Sequence, residues 1–179
     1  LDATQITGAS DRAVYFTQLT PGQPNAIGSA EPGPILSDVG HASAVLTDNE
    51  DLLVTARATQ VLSPVATVSL KYRVMFGAEV TVSMLDDGGH GDGVSGDGVY
   101  GAVIPASASL PGQMVRYFVT SADTQGRTFR WPMYQHRLAS PQYLGTVVRN
   151  PALTSALPVF HWFVQNPSLA ETEAGTRCS

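Results

Sequence analysis

The chain has 179 residues, of which 43% are hydrophobic and only 14% charged, with 17 glycines and 12 prolines. Scarce lysine and plentiful turn formers suit a β domain with extensions rather than a helical protein. A formal charge of -5, with 10 Lys and Arg scattered along the chain, leaves no basic stripe to neutralise phosphates and argues against a nucleic-acid partner.

Residues 1–12 are small and polar. Ala13–Leu19 reads as a strand, halted by the turn cluster Thr20–Asn25, and linker composition follows to Pro34. This predicts that residues 1–32 hold the terminal strand and linker of a preceding β domain. From Ile35 onward short strands recur at the spacing of a sandwich. Ile35–Val39 suits an edge strand. Leu52–Ala58 alternates, with Leu52, Val54, Ala56 and Ala58 on one face. Val68–Phe76 alternates most cleanly, sending Val68, Leu70, Tyr72, Val74 and Phe76 inward and Ser69, Lys71, Arg73 and Met75 outward. A period of two has no helical reading.

Gly77-Ala78 predicts a tight turn, and Glu79–Leu85 a strand with Val80, Val82 and Met84 inward. After a long Asp/Gly loop, Val99–Ile104 resumes as a strand and stops at Pro105. Gln113–Ala122 buries Val115, Tyr117 and Val119; Asp123–Gly126 forms a hairpin turn with glycine at positive φ. Thr128–Tyr134 closes the sheet, with Trp131 in the core or plugging its edge and Pro132 marking an edge strand. The fold class is therefore all-β: an immunoglobulin-like antiparallel sandwich of about seven strands over residues 33–137, with irregular N- and C-terminal extensions. Residues 135–156 read as irregular. Leu157–Gln165 (LPVFHWFVQ) reads as a strand buried on both faces, without a visible partner. Residues 138–179 are thus expected to be a linker and the start of another domain.

The Asp/Gly loop is the most distinctive segment. Asp86–Gly98 packs four aspartates and six glycines into thirteen residues. Either the carboxylates and freed carbonyls hold a hard cation such as calcium, through Asp86, Asp87, Asp92 and Asp97, or the glycines supply positive φ for successive turns that the aspartates cap. Neither register of an EF-hand fits, because His90 or Val94 stands where an oxygen ligand is required. His41, His90, His136 and His161 have no zinc spacing, and His161, between Phe160 and Trp162, suits a buried hydrogen-bonded residue. No Gly-x-Ser-x-Gly elbow occurs, and GVSGDG lacks the Gly-Lys-Ser/Thr ending of a phosphate loop. The single Cys178 sits in a polar tail, unable to form an internal disulfide. No apolar stretch is long enough to span a bilayer, and Leu1–Ser10 has no signal-peptide pattern.

The run VSLKYRVMFGAEVTVSMLDDGGHGDGVSGDGVYGAVIPASASLPGQMVRYFVTSADTQGRTFRWP resembles the β-sandwich module that precedes the kinase-like domain in bacterial proteins of the spore-coat CotH type, which often carry lamin-tail-like domains as well. YFTQLTPGQPN upstream resembles the end of the preceding β domain, and SPQYLGTVV with LPVFHWFVQNP resembles the entry to the kinase-like domain. The resemblance implies an exported bacterial protein, extracellular or on the cell surface. It also implies that ATP- and metal-binding residues lie beyond Ser179, so none is carried onto a position here.

Three functions follow as expectations. The first is a non-catalytic spacer that orients neighbouring domains of the same polypeptide, with its loop stiffened by calcium or by its own turns. The second is a module that binds a surface glycan or protein through exposed aromatics (Tyr117, Phe118, Phe129, Trp131 and Tyr134 being the candidates) and the Asp loop. The third makes the chain the N-terminal fragment of an atypical kinase.

Overall fold

The computed structural model describes residues 31–133, 142–166 and 168. The expected strand at 13–19, Tyr134, the boundary at 137 and the tail with Cys178 lie outside these. Among the described residues there are eight strands: β1 (Ile35–His41), β2 (Leu52–Thr59), β3 (Val65–Val74), β4 (Val80–Met84), β5 (Val99–Ile104), β6 (Met114–Asp123), β7 (Thr128–Trp131) and β8 (Leu144–Val147). They form two sheets, one ordered β1-β2-β5 and the other β4-β3-β6-β7, with β8 also paired to β6. Every strand pair is antiparallel. No described helix is long and apolar enough to cross a membrane.

The alternation read from the sequence is what builds the core. Leu52, Val54, Ala56 and Ala58 of β2 are buried with Ala102 and Ile104 of β5, against Val68, Leu70 and Tyr72 of β3 and Val115, Tyr117 and Val119 of β6. Three alanines in the smaller sheet thus face a layer that carries two tyrosines, a size alternation that lets two twisted sheets interdigitate. The Asp123–Gly126 hairpin is as expected, with Gly126 at φ 79 and its N–H donating to Asp123 O. Asp123 Oδ1 accepts from the N–H groups of Gln125 and Arg127, and Oδ2 from Arg127 Nε at 2.7 Å. Burial alone would raise the Asp123 carboxyl, but these bonds hold it below its ordinary value.

Four details differ from the sequence reading. The turn after β3 falls earlier than Gly77-Ala78: Met75 takes φ 52 and Gly77 N–H donates to Val74 O, so Phe76 leaves the inward row. On β4 only Met84 is fully buried, because β4 is an edge strand whose far end leaves Val80 43% exposed. The stretch read as irregular contains β8, which pairs Leu144 with Tyr117 and Val147 with Met114. Leu157–Gln165 forms no strand; Phe160 and Trp162 are 93% and 90% exposed. A strand exists only as part of a ladder, and no described edge pairs with this run. His161 is likewise exposed, its ring stacked on Phe163 with centroids 6.1 Å apart.

One polar contact joins the two sheets through the core. Tyr117 is fully buried, and its hydroxyl lies 2.8 Å from His41 Nδ1, the rings meeting edge-on. Burial pushes the tyrosine hydroxyl up to about 12 and lowers His41 below its ordinary value. In the neutral tautomer protonated at Nε2, the hydroxyl donates and Nδ1 accepts. A folded-state value lower than the unfolded one means that protons bind the unfolded chain first. The stability contributed by neutral His41 is therefore complete above the unfolded histidine value of about 6.5 and is lost as pH falls below it. The melting temperature is expected to drop between pH about 7.5 and about 5.5, and His41→Gln to flatten that slope; an equal slope in the variant, measured by thermal circular dichroism, would assign the effect elsewhere.

Candidate functional site

The long loop from Leu85 to Gly98 carries β4 of the larger sheet over to β5 of the smaller one. Its neck is pinched shut by a bridge in which Leu85 N–H donates to Gly101 O at 2.9 Å and Gly101 N–H to Leu85 O at 2.8 Å. A closed neck turns the Asp/Gly run into a compact surface loop that must satisfy its own backbone.

The aspartates do this. Asp86 Oδ1 accepts from Gly96 N at 2.6 Å and its Oδ2 from Gly98 N at 3.0 Å. Asp92 Oδ2 accepts from Asp87 N at 2.7 Å and Gly88 N at 3.0 Å. Asp87 Oδ1 caps Gly89 N and meets His90 Nδ1 at 3.3 Å, and Asp97 Oδ1 caps Val99 N. The bond from Gly89 N, followed by the His90 contact, holds the Asp87 carboxyl below its usual range. Six backbone N–H groups thus find carboxylate acceptors inside one loop. The loop is latched outward too: Ala58 N–H donates to Gly98 O, and Arg57 reaches Asp97 O.

At Gly91 φ is +71, which strains any L side chain, and an added Cβ would press on the tip of Leu53, Cδ2. Gly101, at the neck, has no room either, since a Cβ there would run into the His90 carbonyl. The loop is therefore packed down on β2 and β5.

The four sequence-predicted metal residues share the loop but point to separate backbone groups, and among the described residues no three His, Cys, Asp or Glu side chains gather as a metal cage. One atom stands apart. Asp92 is only 3% exposed, and its Oδ1 is buried without a hydrogen-bond partner. Among the described aromatic candidates no sugar platform forms: Tyr117 is in the core, Phe129 and Trp131 pack against it, and Phe118 is covered by Arg130, whose guanidinium lies 4.1 Å from the ring centroid.

The chain matches, over residues 35–131, the family model described as the second Ig-like domain of conditioned medium factor. The match spans more than half of the chain. The chain belongs to that family. Its matched span begins at the first residue of β1 and ends at the last of β7, so β8, on the flank of β6, lies outside it. No curated protein matches the chain. For this Ig-like domain, the family match supports the immunoglobulin-like module expected from the sequence.

The loop geometry gives a direct expectation. Asp92→Ala frees two N–H groups at a buried position and should destabilise the chain by about 1–3 kcal/mol, whereas Asp48→Ala, on an exposed turn, should change stability by less than about 0.5 kcal/mol. Urea unfolding of both variants measures the difference, and equal midpoints would mean that the aspartate caps do not hold the loop.

Proposed function

We propose that the chain is a non-catalytic accessory module of an exported multidomain protein, one that spaces and orients its neighbours. The kinase-like domain of the spore-coat CotH type, which the sequence resembles at its C-terminal end, is the neighbour we assign downstream. The single observation that carries the reading is the inward accounting of polar groups: the loop's carboxylates are bonded to the loop's own backbone, and the inner faces of both sheets are filled by side chains. A module built this way supplies a rigid body between its two ends. The family description, which speaks of a second Ig-like domain and of a factor of conditioned medium, fits a serial module in a secreted setting.

A second reading concerns the loop alone. The orphan Oδ1 of Asp92 is an acceptor that a calcium ion or a buried water could meet, and a cation there would stiffen the loop further. Calcium that binds the folded chain must raise its melting temperature in proportion to the logarithm of its concentration.

Two measurements test these readings. Purified chain incubated with ATP and magnesium is expected to show no turnover; phosphate release above buffer would overturn the accessory reading. Thermal melts in millimolar calcium and in chelator separate the loop readings: a shift of several degrees supports the ion, and coincident curves remove it.

A further inference from the structure

The outer face of the larger sheet carries a feature that a spacer does not need. Register places Arg73 directly opposite Arg116, Lys71 opposite Phe118, and Thr120 opposite Arg130. Because opposed residues in an antiparallel ladder share a face, Lys71, Arg73, Arg116 and Arg130 all lie on the side away from the core. Four of the chain's 10 Lys and Arg, far apart in sequence, are thereby gathered on one surface of a protein whose net charge is -5. The basic stripe missing from the sequence is assembled by the pleat.

These cations are held in place by rings. Arg116 lies over Phe76 and Tyr143 at 5.4 and 5.1 Å, Arg73 over Tyr143 at 5.9 Å, and Lys71 over Phe118 at 5.9 Å. Arg130 is fixed by bonds to the Pro132 and Gln142 carbonyls, and Arg116 by one to Met75 O. Negative charge is scarce beside them: Glu79, 3.6 Å from Lys71, is the acid paired with this face among the described residues. Arg73 and Arg116 face each other without a carboxylate, and Arg73 bonds to no described acceptor.

We propose that this face binds an anionic polysaccharide bearing carboxylates at regular intervals, of the uronate class. A guanidinium fork matches a planar carboxylate. The sheet spaces its cations about 5 Å across strands and about 7 Å along one, so a polymer with a charge on each unit engages several at once. An acidic peptide that relies on apolar anchors for its affinity fits less well, because here the rings are roofed by the cations, with Phe118 only 8% exposed. This surface is separate from the loop and does not depend on the spacer reading.

The test is titration of the 179-residue chain with polygalacturonate, with dextran and poly-glutamate in parallel. Polygalacturonate is expected to bind, more weakly as salt is raised, and dextran to show nothing. Arg73→Gln is expected to weaken binding about fivefold with a melting temperature that does not fall, since no described hydrogen bond is lost and a like-charge contact with Arg116 is relieved; Arg57→Gln, an equal change of charge on the smaller sheet, is expected to leave binding within about twofold. Absence of polygalacturonate binding at low salt, equal loss in both variants, or poly-glutamate binding as tightly would each overturn the proposal.

Discussion

The pairing of β3 with β6 is the constraint on which both surfaces of the larger sheet depend. Leu70 lies opposite Val119 and Tyr72 opposite Tyr117 on the inner side, while Lys71 meets Phe118 and Arg73 meets Arg116 on the outer. A slip of one residue on either strand would turn arginines into the core and leave tyrosines in water. Burying an unpaired guanidinium costs several kcal/mol, by order of magnitude, so the hydrophobic pattern enforces the outer array as strictly as the inner one. The two sheets are then tied by Tyr117, the largest wholly buried side chain, which reaches β1 through His41.

The crossing loop solves a different problem. A connection between sheets leaves the regular ladder, so its N–H groups lose their partners just where the chain is packed against β2. Aspartate answers this because one carboxylate can take two donors, as Asp86 and Asp92 both do. The glycines admit the left-handed turns that aim those donors inward. Acidic composition in this loop is therefore accounted for largely by backbone satisfaction, and the single unpartnered oxygen of Asp92 is the remainder.

What could be read from the sequence follows the range of each interaction. Alternation along one strand is local, so the inward rows of β2, β3 and β6 were legible, and so was the Asp123–Gly126 turn with its glycine. The turn after β3 was not, because it begins at Met75, which takes the left-handed conformation two residues before the Gly77-Ala78 expected to make it. The four residues of β8 give too short a run for a period to register, and their pairing with β6 is a long-range choice. Leu157–Gln165 misled in the opposite sense: apolar composition reports a wish for burial, and only a neighbouring edge makes a strand. In the Asp loop, the capping chemistry was legible from residue types, yet the reach of Asp86 to Gly98 depends on the neck at Leu85 and Gly101, which no spacing rule reveals. The cationic face was hidden for the same reason, since Arg73 and Arg116 are brought together only by register.

That face also bears on why the outer surface has its composition. Two like charges directly opposite in a ladder are unfavourable, and burial together with Arg73 lowers Arg116 below its ordinary value. Threonine or valine at these positions would serve a sheet surface with none of that repulsion. The rings beneath offset part of it, each stacked cation gaining about 0.5–1 kcal/mol at an exposed site, but Arg73 has one ring at 5.9 Å and, like Arg116, a buried Nε lacking a partner. Stability alone therefore does not explain an arginine at 73. A negative group that settles between Arg73 and Arg116 removes the repulsion and satisfies free donors in the same step, which makes the free chain's unfavourable pair a source of affinity in the complex.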